Sequence, residues 1–327
     1  VFDKRGQLLP RERVARALDA GSPFLELATV AGWCLDNPDP AKTIPGGGLV
    51  AGIGYVSGVR CMVAAPDSGI DAGAIQPMGL EKILRVVAIA QENRLPFLHL
   101  VESAGANLLK YRVEDFIHGG GLFCGMTRLS AAGIPVVTVV HGSSTAGGAY
   151  MPGMSDYVVM VRGRAKAFLA GTALLKAATG EDASEEELGG AEMHATVSGL
   201  AEYLAEDDAD GIRLAREVLA KLDWNRDLRR EQKSVAAPRR DIEELLGLVP
   251  LDTKKPYDVR EVIARLVDGS DFLEFKTMFG PGTVCVHASI HGQPLGILTN
   301  NGPLDPAGST KATHFIQACC QAGLPIL

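Results

Sequence analysis

The chain has 327 residues, 46% of them hydrophobic and 22% charged, which is long enough for two domains and ordinary for an α/β protein. A net charge of −7 without any long block of like charge leaves no general pull toward nucleic acid, and no apolar run reaches the roughly 18 residues of a membrane span. The six cysteines lack C-x-x-C spacing, which speaks against a zinc ribbon or a disulfide framework and for buried, reduced thiols; no metal site is expected.

The N-terminal "VFDKRGQLLP" has neither a signal-type apolar core nor an initiating Met, so residues upstream of Val1 are expected. A helical pattern, "ERVARALDA", is followed by strand-like runs in "FLELATV", "GGGLVAGIGYVSG" and "VRCMVAAP". Residues 79–93, "GLEKILRVVAIAQEN", carry apolar residues near helical spacing and lead into the run "RLPFLHLVESAGA". An amphipathic helix is expected near 117–132, then the strands "IPVVTVVHGSS" and "DYVVMVRGRAKAFLAG" on either side of a helix or turn after Gly148. Strands with continuous apolar runs that alternate with helices predict a mostly parallel sheet covered by helices.

Residues 225–256 break the apolar rhythm with charge and proline and read as a linker between a first domain, 1–224, and a second, 257–327. Beyond it the sequence repeats. "RERVARALDAGSPFLEL" matches "REVIARLVDGSDFLEF", "GLVAGIGYVSGVRCMVAAPDSG" lines up with "GTVCVHASIHGQPLGILTNNG", and "AIAQENRLPFL" with "FIQACCQAGLPIL". The second copy stops at Leu327, opposite about Leu98, so a truncated second domain is expected.

The stretch "HGSSTAGGAYMPG" sets Gly147 and Gly148 between a strand and a helix and contains no good nucleophile, base or metal ligand. Glycines there let a carbonyl approach the backbone, and N–H groups at a helix start point outward, which is the composition of an oxyanion hole. An added β-carbon at either glycine is expected to block that approach and leave the fold intact. "GIGYVSG" lies one residue off the dinucleotide fingerprint and reads as a turn; there is no P-loop, and "HGSSTAG" is not a serine-hydrolase elbow. His141 reads as a structural histidine bonded to backbone, and His99 and His194 have no acidic partner at a readable spacing.

Several of these segments resemble, in order, the carboxyltransferase β subunit of biotin-dependent acyl-CoA carboxylases: "RERVARALDAGSPFLEL", "ENRLPFLHLVESAGANL", "GSSTAGGAYMPG", "KAATGEDASEEELGGAEMH" and "NNGPLDPAGSTKATHFIQACC". The resemblance implies a crotonase (ClpP-like) α/β fold made of two homologous ββα-superhelix domains, the second incomplete here. It implies carboxyl transfer from carboxybiotin to an acyl-CoA, with the enolate held by the amides of Gly147 and Gly148. Ser103, Ala104, Gly105 and Ala106, with Thr145, Ala146 and Ala149, are the implied substrate-binding positions, and Ala104 departs from the family's commoner glycine. Thr172 and Ala173 replace a frequent Pro-Pro. "DFIHGGGLFCG" places Gly119, Gly120 and Gly121 where methylcrotonyl-type enzymes carry bulkier residues, which favours a longer acyl group such as that of geranyl-CoA over methylcrotonyl-CoA.

No biotin-attachment or ATP-grasp segment occurs, so the resemblance implies a partner α subunit with biotin carboxylase and biotin carrier functions. It further implies a homo-oligomer, a hexamer, in the cytoplasm or the mitochondrial matrix. A propionyl-, acetyl- or long-chain acyl-CoA carboxylase subunit is an alternative within the family. A crotonase-like hydratase or decarboxylase is another, which would add a carboxylate beside the glycines; Glu102 is the nearby candidate, with a surface or core-edge role as the competing reading. A non-catalytic scaffold is the third.

Overall fold

The computed structural model describes residues 2–35, 37–106, 110–224, 235–252 and 254–327. Residues 225–234, the start of the expected linker, lie outside them. The chain divides into two compact units, Val1–Arg216 and Glu217–Leu327.

In the first unit a short helix α1 (Phe2–Arg5) precedes α2 (Pro10–Ala17). α2 starts on a proline whose missing N–H costs nothing at that position, and Glu12 accepts from the Leu9 N–H at 2.9 Å. β1 (Leu25–Glu26) is shorter than the run "FLELATV" because Ala28 takes a φ of +47°, which turns the chain out of the sheet. β2 (Leu49–Val56) and β3 (Val59–Pro66) form an antiparallel hairpin across Ser57 and Gly58, both at positive φ.

α3 (Pro77–Glu92) buries Leu80, Ile83, Val86, Val87 and Ala90, a stripe at helical spacing. Lys82 lies inside that stripe. Its Nζ donates to the carbonyls of Leu49 at 2.6 Å and Gly46 at 3.3 Å, and burial lowers its pKa.

The parallel strands follow. All residues of β4 (Phe97–Ser103) are buried, as the continuous apolar run requires. The helix expected at 117–132 is two helices, α4 (Val113–Gly119) and α5 (Gly121–Ala131), divided at Gly120. β5 (Val136–Thr145) runs into a 3-10 turn, Ala146–Ala149, and α6 (Tyr150–Gly153). β6 (Tyr157–Val161), β7 (Lys166–Phe168), α7 (Thr172–Thr179), α8 (Glu185–Gly189), α9 (Ala191–Met193), β8 (Tyr203–Ala205) and α10 (Asp208–Leu222) complete the series. The sheet order is β1-β2-β3-β4-β5-β6-β8, with β7 also on β5, and every pairing from β3 onward is parallel.

The second unit holds α11 (Leu245–Leu248), α12 (Val259–Leu266), β9 (Leu273–Phe275), β10 (Thr283–Ile290), β11 (Gln293–Asn300) and α13 (Pro306–Ala322). From α12 onward it repeats the order from α2 to α3, down to single atoms. In the first hairpin Asp19 accepts from the N–H groups of Ser57 and Gly58 at 2.8 and 2.7 Å; in the second, Asp268 accepts from those of His291 and Gly292 at 2.8 and 2.7 Å. Lys311 occupies on α13 the buried position that Lys82 occupies on α3. Val259, Ile263, Val267, Val284, Val286, Ala288 and Ile297 form this unit's core.

The cysteines are all free, but only Cys61, Cys285 and Cys319 are buried; Cys124 and Cys320 are exposed. Cys124 falls outward because α5 turns Leu122, Met126 and Leu129 to the core, which places position 124 on the opposite side. Among the described residues no helix is long and apolar enough to cross a membrane.

Candidate active site

β4 and β5 run in register from Phe97↔Val136 to Val101↔Val140 and then slip. Ser103 next pairs with Ser144, so the single residue Glu102 spans His141, Gly142 and Ser143. Such a bulge redirects a strand end. Here it redirects β5 into the segment Thr145–Ala149, beside the loop Ala104–Ala106 that leaves β4.

The two segments meet backbone to backbone. A β-carbon on Gly148 would stand 2.9 Å from the Ser103 carbonyl oxygen and 3.0 Å from its Cβ, closer than real β-carbons come. Gly105 has a φ of +80°, and a β-carbon there would lie 3.2 Å from the Gly147 nitrogen. Two hydroxyls brace the contact: Ser103 Oγ accepts from the Gly105 N–H at 3.1 Å, and Ser144 Oγ donates to the Gly148 carbonyl at 2.9 Å. Ala104 does not need the left-handed backbone of Gly105, and its N–H donates to the Gly73 carbonyl at 3.2 Å, so the departure from glycine is accommodated.

Gly147 differs from Gly148. A β-carbon on it would meet only the Phe123 ring, at an ordinary 3.9 Å. Phe123 in turn stacks on Tyr150 with ring centroids 4.9 Å apart. Gly147 lies in the first turn of its short 3-10 segment, where an N–H has no carbonyl one turn earlier to bond, and Gly148 follows it. The expected set Ser103, Ala104, Gly105, Ala106, Thr145, Ala146, Gly147, Gly148 and Ala149 is therefore one contiguous patch. A cavity of about 540 Å³ opens on it through Ala104 and Thr145, with Arg5, Arg164 and Lys166 on its wall.

Gly119 and Gly120 are not in that patch. A β-carbon on Gly119 would come within 3.3 Å of Leu80, one on Gly121 within 3.3 Å of Leu84, and one on Gly120 within 3.2 Å of the Ile117 carbonyl. Gly119 and Gly121 seat α4 and α5 against α3, and Gly120 stands between the two helices.

Sequence reasoning missed the charged network behind the bulge. Glu102 is buried and accepts from Arg13 at 3.2 Å, Gln7 at 3.2 Å and Arg5 at 3.3 Å. His141 is not held by backbone: its Nδ1 lies 3.2 Å from Asp208 Oδ1. Arg13 also reaches Asp208, at 3.2 Å. Burial pushes the Asp208 carboxyl up, but the bond from His141, the charge of Arg13 and the Leu8 N–H outweigh it and hold the group at about 2. Burial lowers the His141 pKa against the pull of Asp208. His99, stacked on Phe97, is pushed down to about 3 by burial, and His194 binds Ser198 Oγ and the Ala167 carbonyl at 2.7 and 2.8 Å. The partners of Glu102 and of His141 are far apart in sequence, so no local spacing could have announced them.

Glu102, engaged by three donors, is poorly placed to serve as a general base beside the glycines, as a hydratase would require. Among the described residues no group of three or more metal-ligating side chains is found. What the patch offers is closely approached backbone and space, with Arg5, Arg164 and Lys166 on the wall of the cavity that opens on it.

Comparison with known proteins places the chain in a family. The carboxyl transferase domain model matches residues 3–327. The probable biotin-dependent acyl-coenzyme A carboxylase beta2 subunit of Mycobacterium tuberculosis is 51% identical over 324 residues, covering 99% of this chain and 60% of that protein. Among solved structures, the β subunit of Pseudomonas aeruginosa geranyl-CoA carboxylase is 56% identical with a TM-score of 0.63, over 99% of this chain and 60% of that one. The transcarboxylase 12S hexamer core is 31% identical with a TM-score of 0.87, over 99% of this chain and 64% of that one. The chain thus spans about 60% of the length of the first relatives it matches. The sheet order and the paired strand-end loops are those of a crotonase-type α/β fold, and with the family model matched from residue 3 to residue 327 the chain belongs to the carboxyl transferase domain family.

Proposed function

We propose that this chain is the carboxyltransferase part of a biotin-dependent acyl-CoA carboxylase and that Gly147 and Gly148 hold the substrate's thioester oxygen. One observation carries the reading: the face of Gly147 is open at the point where two strand-end loops touch, with the Phe123 ring, at 3.9 Å, the sole neighbour a β-carbon there would meet among the described residues. Removing a proton next to, or conjugated with, a thioester places negative charge on its oxygen. Donors fixed in advance at that oxygen stabilise the enolate, and one such donor has been worth roughly 3 kcal/mol in a protease. Carboxybiotin, delivered by a biotin carboxylase and carrier α subunit, supplies the carboxyl group and a base, which is why the patch needs no basic side chain of its own. Ser103, Ala104, Ala106, Thr145, Ala146 and Ala149 shape the floor on which the acyl-CoA lies.

A branched enoyl-CoA is the favoured substrate, geranyl-CoA ahead of methylcrotonyl-CoA. The identity to the geranyl-CoA carboxylase subunit supports this. Gly119 bears on substrate choice only indirectly, by letting α4 approach α3, and Gly120 by its place between α4 and α5. We further propose a homo-oligomer, a hexamer as named for the transcarboxylase core, working in the cytoplasm or the mitochondrial matrix.

The test is incorporation of labelled bicarbonate by the full-length subunit, ATP and its biotinylated partner, over a panel of acyl-CoAs. Geranyl-CoA is expected to be labelled fastest and methylcrotonyl-CoA more slowly. A partner that carboxylates its biotin normally while every acyl-CoA stays unlabelled overturns the reading; labelling of propionyl-CoA first overturns the substrate choice.

A further inference from the structure

The bulge between β4 and β5 is held open by side chains, and this has a consequence for the patch beyond it. Between Val101↔Val140 and Ser103↔Ser144 the strand β5 carries two more residues than β4. Its surplus backbone needs a partner, since buried polar groups left unpaired are costly. Gln7 supplies one: its Nε2 donates both to the His141 carbonyl at 3.1 Å and to Glu102 Oε2 at 3.2 Å. Glu102 fills the rest of the bulge. Its Oε1 would stand 2.6 Å from a β-carbon on Gly142, so that position is open only because it is glycine. Arg13, fully buried, fixes the carboxylate from the far side at 3.2 Å.

We propose that Glu102 and Gln7 are positioning residues, a clamp that sets the width of the bulge and thereby aims Thr145–Ala149 at the Ser103–Ala106 loop. The inference rests on the carboxyltransferase reading given above. Both line the cavity that opens on the patch, but Gln7 Nε2 and the Glu102 carboxylate are taken up by each other, by Arg5 and Arg13 and by the His141 carbonyl. Glu102 directly precedes Ser103, whose carbonyl lies against Gly148, and Gly142 on β5 precedes Gly147, in the turn that follows the strand, by five residues. Closing or widening the bulge therefore moves both loops relative to each other. A shift of about 1 Å between catalytic donors and substrate can cost about a hundredfold in rate.

The experiment compares Gln7→Leu and Glu102→Gln in the full-length subunit, assembled with its biotinylated partner, against Val86→Ala, a core change on α3 outside the clamp. At matched melting temperature both clamp variants should lose about tenfold to a hundredfold in kcat with KM for the acyl-CoA within about threefold, while Val86→Ala stays within about twofold in both. Hydrogen exchange supplies a readout independent of turnover: amides of 104–106 and 146–149 should exchange faster in the clamp variants and not in Val86→Ala. If Glu102→Gln does not fold, Gln7→Leu, which leaves the ion pairs in place, decides alone. Equal kcat losses in clamp and control variants, or a raised KM with kcat unchanged, overturn the clamp. If the wild-type assembly transfers no carboxyl group, the carboxyltransferase reading fails, and the exchange data still decide whether these residues position the loops.

Discussion

Gly147 and Gly148 look equivalent in the sequence, yet their surroundings separate them. Alanine at Gly148 would drive a β-carbon into the Ser103 backbone at 2.9 Å, an overpacking of about 1 to 3 kcal/mol that opens the loop contact itself. Substitution there is therefore not silent for the fold, contrary to the expectation from sequence. Alanine at Gly147 meets only Phe123 at 3.9 Å and should leave thermal stability within about 1 kcal/mol of the wild type. Its methyl group nevertheless occupies the space proposed for the thioester, so Gly147→Ala is expected to lose about a hundredfold in carboxyl transfer with an unchanged melting curve. Thermal unfolding beside turnover checks both halves of the statement; full activity in Gly147→Ala would remove that face from the mechanism. The pair of glycines was legible in the sequence because nothing else there could do chemistry. The difference between them was not, because it depends on Ser103, which reaches Gly148 only once β4 and β5 lie side by side.

β4 and β6 were legible as elements for the same reason that they are stable: every residue of each is buried, so each reads as a largely apolar run. The break at Gly120 was not, since helical spacing alone does not show where α4 ends and α5 begins. β4 also carries a titratable group in its core. His99 is fully buried, without a hydrogen-bond partner among the described residues, and its pKa falls from 6.5 to about 3. The unfolded chain takes a proton as pH drops below 6.5 and the folded chain does not, so stability from this site is intact above 6.5 and declines steadily toward pH 3. His99→Leu should flatten the fall of unfolding free energy between pH 6.5 and 4.5 by up to about 1.4 kcal/mol per pH unit. Denaturant melts at several pH values check this; parallel slopes in the two proteins would show that His99 is protonated in the fold.

At the scale of the whole molecule, α7 buries none of its side chains within its own unit, and Leu174 on it is 61% exposed. Val113 and Ile117 on α4 are each 72% exposed. Apolar surface of this kind marks an interface, in keeping with the proposed homo-oligomer. Light scattering of the full-length protein should give a multiple of the subunit mass, and Leu174→Glu should lower it without lowering the melting temperature of the dissociated subunit. The repeat was legible as weak letter matches in a fixed order; its precision became visible only in the paired turns, where Asp19 and Asp268 hold the two hairpins by the same two bonds. Those carboxylates bear on how a chain with two nearly interchangeable hairpins avoids confusing them. Eight-residue strands of like pattern, β2 with β3 and β10 with β11, could exchange partners during folding and produce swapped or tangled products. Each aspartate lies upstream of the turn it holds, by 38 residues in the first copy and 23 in the second, so each hairpin can be tied to its own copy before it meets the other. Asp19→Ala and Asp268→Ala should therefore reduce the yield of refolding more than they reduce the stability of the folded protein, and combining them should raise the fraction recovered as mispaired multimers. Equal refolding yields at equal protein concentration would show that the hairpins sort themselves by other means.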